Sequence, residues 1–410
     1  MNLREVQSMQ KRLTKYVEQF KSSLGRKERS YWCRAYLSGL MLDGQRKSIE
    51  PMSKRLPNGN EQALQQFVNQ SPWNSAPIQK QLNQLMIEKF AVRKGVLILD
   101  DTSLPKKGTH SIGVARQYCG ALGKIANCQS IVTWHFATHK IHFPIIGRLY
   151  LPKSWTTDVE RMKKVGIPAQ HQSFRKKWEI ALELLQEVQE QFPYECIVFD
   201  AGYGEIKEFR THLSEKNLRY VGQIPESHSF WPENVQLVTT PSKRGRPRKK
   251  PSVSDPKKLA LSAKQWKERL VKNPKRWKKV SLDQKSGKVI VKAVAIRVKE
   301  VITQAYRTPG ENLWLIIEKL PGGTFKYYVS NASRTTSLKR LIRWAHQRWK
   351  IEQGYQHMKN ELGLDHFEGR SWRGLTHHFL LCVMAYCFLL LTQKDYPKKI
   401  YSPFLCSEHG

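Results

Sequence analysis

The spacing of apolar residues changes character along this 410-residue chain. Up to about residue 90 they recur every three or four positions, which predicts helices over 6–24, 28–42 and 76–90. The segment 46–52 can cap a further helix, and Ser71-Pro72-Trp73-Asn74 predicts a turn around a buried tryptophan. From Gly95 the pattern becomes that of strands. Val96, Leu97, Ile98 and Leu99 form an unbroken apolar run closed by Asp100 and Asp101, as in a buried central strand. Segments 131–136 and 143–150 predict two more strands that turn near His139. A helix over 172–191 leads to a second apolar run, Cys196 to Phe199, closed by Asp200. Another helix and a strand over 219–224 follow.

Three strands, helix, strand, helix, strand is the order of a mixed α/β sheet. About a hundred residues then interrupt it, with strand patterns over 289–299 and 313–318, so a β-rich insertion is expected. A strand over 325–330 returns to the sheet, and a helix over 348–359 follows directly. The apolar run 379–391 is too short to span a bilayer, so it predicts a buried closing helix. The expected organisation is an N-terminal helical domain (1–90), an α/β domain in two segments (91–225 and 325–393), the insertion (226–324) and a tail (394–410).

Charge narrows the function. The chain carries 70 Lys and Arg against 34 Asp and Glu, a net charge of +36. Solubility needs far less, so a polyanionic partner is implied. With no spanning segment and no apolar leader core after Met1, that partner is expected to be nucleic acid rather than membrane. Seven cysteines without a CxxC pair suit a reducing compartment. Between 243 and 279 stand 16 Lys or Arg against Asp255 and Glu268. Within that stretch Arg244, Arg246 and Arg248 alternate with Gly245 and Pro247. This Arg-Gly-Arg-Pro core resembles an AT-hook, an extended segment whose arginines enter a narrow minor groove. A generic basic linker is the alternative.

On the helix over 348–359, about 100° per residue brings Arg348, Glu352 and Lys359 within roughly 40° of one another. A carboxylate between two cations is held ionised, which suits a metal ligand beside a phosphate; a solvated ion pair is the plainer reading. Asp101, Asp200 and Glu352 together form the kind of carboxylate set that holds hard divalent cations for phosphodiester chemistry. Asp100 competes with Asp101, since alternation puts the two on opposite faces. Glu361, Asp365 and Glu368 compete with Glu352 but lack its Arg/Lys frame. A zinc site at His135, His139 and His142 is disfavoured, because alternation and a turn scatter the three. Cys119 and Cys128 are expected to be small core residues.

The segments 99–108, 113–118 and 199–204, with the spacing Arg348-x3-Glu352-x6-Lys359, resemble the ribonuclease-H-like DDE transposases of bacterial insertion sequences. The closer resemblance is to the IS4-type group and its IS701-like branch. That resemblance favours Asp101 over Asp100, because the family pattern is Asp followed by Thr. It implies two Mg²⁺ per active site, replaceable by Mn²⁺, held by Asp101, Asp200 and Glu352. It further implies cut-and-paste transposition on double-stranded DNA, terminal inverted repeats and target alike, by a homodimeric synaptic complex. A cytoplasmic, nucleoid-associated protein is expected. Arg348 and Lys359 would grip phosphates, and Trp349 matches a tryptophan that holds a flipped base in relatives, with a core position as the equal alternative. Position 345, a tyrosine in the family signature, is Ala345 here; Tyr355 is the substitute hydroxyl to consider. Trp314 in the insertion has no secure counterpart. A catalytically silent DNA-binding regulator and a stand-alone nuclease of the same fold remain as alternatives.

Overall fold

A computed structural model of the chain describes residues 3–238, 252–253, 258–284, 287–303 and 307–395. The AT-hook-like core with Arg244, Arg246 and Arg248 lies outside the described residues, as does the chain beyond 395. The fold is mixed α/β, with a large mixed sheet and flanking helices. The chain divides into two compact units, one of residues 1–95, 99–193 and 349–410, the other of 96–98 and 194–348.

The first unit opens with six helices: α1 (Leu3–Glu18), α2 (Lys21–Leu24), α3 (Lys27–Met41), α4 (Ile49–Arg55), α5 (Glu61–Asn69) and α6 (Ser75–Lys89). α5 was not anticipated, although its signals are local. The Asn60 side chain accepts from the Ala63 amide at 2.9 Å, capping the first turn, and Leu64, Phe67 and Val68 form its buried stripe. Trp73 is buried as expected, its indole donating to the Phe67 carbonyl at 3.1 Å.

Strand β1 (Gly95–Pro105) does not end at its aspartates; it continues six residues past Leu99. Thr102, Ser103 and Leu104 are buried, so the second half is as much a core strand as the first. Next come β2 (Ala115–Cys119), β3 (Lys124–Ala137) and β4 (His142–Tyr150), with β3 paired antiparallel to both β2 and β4. Short helices α7 (Lys153–Thr156) and α8 (Val159–Lys164) lead to α9 (Lys177–Val188).

The second unit contains β5 (Tyr194–Phe199), α10 (Ala201–Gly204), α11 (Lys207–Glu215), β6 (Tyr220–Ile224), β7 (Ser229–Pro232), β8 (Leu237–Val238), β9 (Ser252–Val253) and β10 (Leu261–Ser262). After α12 (Ala263–Val271) come β11 (Lys278–Gln284), β12 (Gly287–Thr303), β13 (Arg307–Lys319), β14 (Phe325–Ser330) and α13 (Leu338–His346). Strands β5 and β6 pair in parallel, and β6–β14, β14–β13, β13–β12 and β12–β7 then pair antiparallel in turn. The chain expected to interrupt the sheet therefore supplies strands to it. Leu315, Ile316 and Ile317 are wholly buried, so β13 has apolar contacts on both faces and behaves as a central strand. A buried ion pair between Arg210 of α11 and Glu300 of β12 ties helix to sheet in this unit.

The first unit is completed by α14 (Trp349–Asn360) and α15 (Trp372–Asp395). α15 is longer than the expected closing helix. Its 24 residues suffice in length and composition to cross a membrane, but 78% of its most apolar window is buried inside the fold. It packs on α3, α5, α6 and β4. His377 and His378 join it because backbone carbonyls satisfy their rings: His377 contacts those of Val68 and Trp73, and His378 that of Gly363.

Candidate active site

The β1 aspartates point to opposite sides of the sheet. The Asp101 carboxylate receives two hydrogen bonds at Oδ2, one from Lys177 Nζ of α9 at 2.6 Å and one from Ser130 Oγ of β3 at 2.9 Å. The neighbouring β3 and β4 residues on that face also meet α9. Trp134 donates its indole to the Ala181 carbonyl at 2.9 Å, and Arg148 pairs with Glu187 at 2.6 Å. Alternation turns the even-numbered β1 residues the other way, and Lys106 follows just past the strand's end. Lys106 Nζ donates to the Phe367 carbonyl at 2.6 Å, in the segment between α14 and α15. Burial there pushes the Lys106 ammonium down to about 8.

Helix α14 lies on the face opposite α9. Tyr355 shares a hydrogen bond with Thr133 of β3, Lys350 donates to the Thr138 carbonyl, and Lys359 Nζ donates to the Ser103 carbonyl at 2.9 Å. Gly354 allows this close approach, since a Cβ there would stand 3.1 Å from His135 Cε1. Ile351, Gly354, Tyr355 and Met358 are the buried stripe, and Glu352 is exposed on its flank. Burial lowers the Lys359 pKa, with Asp365, Cys119 and Asp100 opposing the shift.

Two parts of the expected site differ from the helical-wheel reading. The helix is not continuous from position 348: α13 ends at His346, and Gln347 and Arg348 form a turn before Trp349. The 100° geometry thus relates Glu352 to Lys359 but not to Arg348. Tyr355 is buried with its hydroxyl on Thr133, so it does not replace the tyrosine missing at position 345 as a surface group. Trp349 is 38% exposed, a large aromatic surface open to a ligand. Of the competing acids, Glu368 pairs with Arg46. Trp314 lies under Arg297, with the guanidinium 5.1 Å from its ring centre.

In the second unit, Asp200 follows β5 directly. It caps the first turn of α10, accepting from the Tyr203 amide at 3.1 Å. One carboxylate oxygen thereby holds the side chain at the strand's end, and a carboxylate oriented in this way can also take a cation.

Among the described residues, no three His, Cys, Asp or Glu side chains stand close enough together to hold a metal ion. Hard oxygen donors are nevertheless the right chemistry for Mg²⁺. That ion keeps several waters and is commonly bound by one or two carboxylates together with substrate phosphates, without an all-protein cage. The acids present fit such a group. His135 is buried beside Tyr355, and Cys119 and Cys128 are buried core residues as expected. Lys177 and Ser130 were missed in the sequence because nothing in their spacing connects them to position 101.

Residues 19–288 match the family model described as DDE superfamily endonuclease, a span that includes Asp100, Asp101 and Asp200 and stops before Glu352. A probable transposase for insertion sequence element IS701 from Microchaete diplosiphon is 31% identical over 203 residues. The match covers 49% of this chain and 50% of that protein, so the chain spans about half the length of its relative.

Proposed function

The chain belongs to the DDE superfamily of endonucleases, and from that premise we propose that it is a transposase of an insertion sequence. In this reading the catalytic domain is ribonuclease-H-like. Its substrates are double-stranded DNA bearing the element's terminal inverted repeats and a target duplex, and it acts as a homodimer in the cytoplasm, on the nucleoid. Asp101, Asp200 and Glu352 would hold two Mg²⁺, with Mn²⁺ able to replace them. When bound, such ions lower the pKa of the attacking water and neutralise charge on the scissile phosphate.

The protein's own residues orient that chemistry. Asp200 is held by the α10 amide, and Glu352 by a helix anchored through Tyr355 and Lys359. Arg348 and Lys359 supply cationic donors to phosphate oxygens. Trp349 offers a stacking face for an extruded base. Water adds to phosphorus and the P–O3′ bond breaks, leaving a 3′-hydroxyl and a 5′-phosphate. That hydroxyl then attacks a second phosphorus, exchanging one phosphodiester for another, so no energy-carrying cofactor is required. The basic segment with Arg244, Arg246 and Arg248 supplies a minor-groove contact, and helices of 1–90 contribute to end recognition.

The family match across residues 19–288 carries this reading, and the net charge of +36 suits its polyanionic substrate. The test uses linear DNA carrying the element's ends. Asp200→Ala should abolish nicking and strand transfer while end binding persists. Metal-dependent cleavage unchanged in that variant overturns the proposal. Nicking without strand transfer of pre-cut ends would make the protein a nuclease only.

A further inference from the structure

The hairpin formed by β2 and the start of β3 carries an exposed apolar patch that the proposed chemistry does not use. Tyr118 is 67% exposed, Ile125 60% and Leu122 47%. We propose that this hairpin is a wedge that enters the duplex bearing the scissile phosphate and unstacks it. Tyr118, Leu122 and Ile125 meet the bases, and Arg116, Lys124 and Lys107 meet the phosphates. The proposal rests on the transposase reading above and adds a DNA-distorting element to it.

Strand pairing gathers the patch on one face. Tyr118 stands opposite Ile125 and Arg116 opposite Asn127, and directly opposed residues of an antiparallel pair share a face. The other face is closed: Cys119 and Cys128 are buried, and the Gln117 side chain donates to the Cys128 carbonyl at 3.0 Å. Leu122 lies in the turn over 120–123, where Gly123 takes a φ of +62° that favours glycine. Among the described residues, no atom beyond the chain neighbours comes within 4 Å of a Cβ built at Gly120 or Gly123, so the tip stands clear of the fold. β2 is also the last strand of its sheet. An apolar edge hairpin invites unwanted pairing, which makes its retention a sign of a partner.

Charge selects nucleic acid as that partner. Between Asp101 and Asp158 the chain has seven Lys or Arg and no acid. Arg116 and Lys124 flank the patch, and Lys107 is exposed just past the end of β1. A two-stranded ribbon fits a DNA groove, where apolar side chains wedge between base pairs and cations hold the phosphates.

The hairpin is continuous with the candidate site. The Gly120 amide donates to Ser103 Oγ at 3.4 Å, and the Ser103 carbonyl accepts from Lys359 at 2.9 Å. Asp101 adjoins Ser130 on β3 and Tyr118 adjoins Ile125, so Asp101 and Tyr118 lie two strands apart and five residues along. With strands about 4.8 Å apart and a rise of about 3.3 Å per residue, the separation is roughly 20 Å. That is about six base pairs of duplex at about 3.4 Å each.

The test uses the full chain with end DNA carrying 2-aminopurine at successive positions on both sides of the cleavage site. With the parent protein, fluorescence should rise at least about threefold at one step, roughly five to seven base pairs from the cut. In a variant combining Tyr118→Ser, Leu122→Ser and Ile125→Ser that rise should vanish and nicking should fall at least about tenfold, with end binding in a gel shift weakened less than about tenfold. The three side chains are exposed, so the melting temperature should hold within about 2 °C. Arg116→Gln with Lys124→Gln should reduce the slope of log affinity against log salt by about 2. A fluorescence rise that persists in the triple variant overturns the proposal. So does a triple variant that leaves the rise intact and only turns a dimer into a monomer in light scattering, which makes the patch a contact between copies. Cleavage by the parent protein is read in the same samples: its absence removes the transposase reading, while fluorescence on the bound duplex still decides the hairpin.

Discussion

The two faces of the sheet formed by β3, β4 and the second half of β1 solve the same packing problem differently. On the α9 face, charges are closed among themselves. Asp101 meets Lys177, and Arg148 lies between Glu183 and Glu187. On the α14 and α15 face, neutral pairs are buried, Thr133 with Tyr355, Tyr36 with His378 and His377 between two carbonyls, while the ammonium groups of Lys106, Lys350 and Lys359 meet backbone carbonyls. Glu352 stands at the edge of this second face, exposed. A carboxylate already held by an ammonium, as Asp101 is by Lys177, must give up that pair to take a cation.

Substitutions on each face can break or sharpen this contrast. The largest effect is expected at Glu352. Glu352→Gln should reduce end nicking by at least about a thousandfold, with DNA binding and melting temperature nearly unchanged, as checked by a gel cleavage assay; loss of a transition-state interaction of about 4 kcal/mol corresponds to that factor. Residual cleavage near the parent rate would remove Glu352 from the site.

Acid should weaken the α14 and α15 face next. Burial pushes His377 down to about 4 and His378 down to about 3. The unfolded imidazoles titrate near 6.5, so below that pH the unfolded state binds more protons than the folded one. Their contribution to stability is thus complete above about pH 6.5 and is lost as pH falls towards 4. At pH 5 each ring should cost on the order of 2 kcal/mol. Thermal melts between pH 7.5 and 5 should show this decline, and a flat profile would contradict it.

Tyr355→Phe comes third. It leaves the buried Thr133 hydroxyl without this partner and should destabilise by about 1–3 kcal/mol, loosening α14 and lowering cleavage more than end binding. Urea denaturation paired with the cleavage assay separates the two effects. The smallest effect belongs to the α9 rim. Glu187→Gln removes one half-exposed partner of Arg148 and should cost no more than about 1 kcal/mol, less at high salt. A larger, salt-insensitive loss would mean that this face is not a solvated ion-pair network.

Much of the fold was legible in the residues because it depends on local periodicity. Strand β14 falls where its alternation placed it, and α6 and β4 are displaced by only a residue or so. Asp200 was legible as well, since a strand-end aspartate before Ala201-Gly202 is a cap by local chemistry alone. β13 was readable as a strand but not as a central one, because burial on both faces depends on β12 and β14 arriving from elsewhere. The break at Gln347 and Arg348 also escaped the pattern, since no Pro or Gly marks it.

The carboxylate pair of β1 divides the two kinds of information most clearly. Sequence by itself determined that Asp100 and Asp101 lie on opposite faces, because the extended backbone alternates whatever surrounds it. It also determined that Glu352 and Lys359 share a flank, because a helix repeats every 3.6 residues. Only the tertiary structure decided which face α14 covers and that Lys177 closes on Asp101. Those contacts join residues 76 to 256 positions apart, and their partners are selected by how the helices pack on the sheet, which no local pattern encodes.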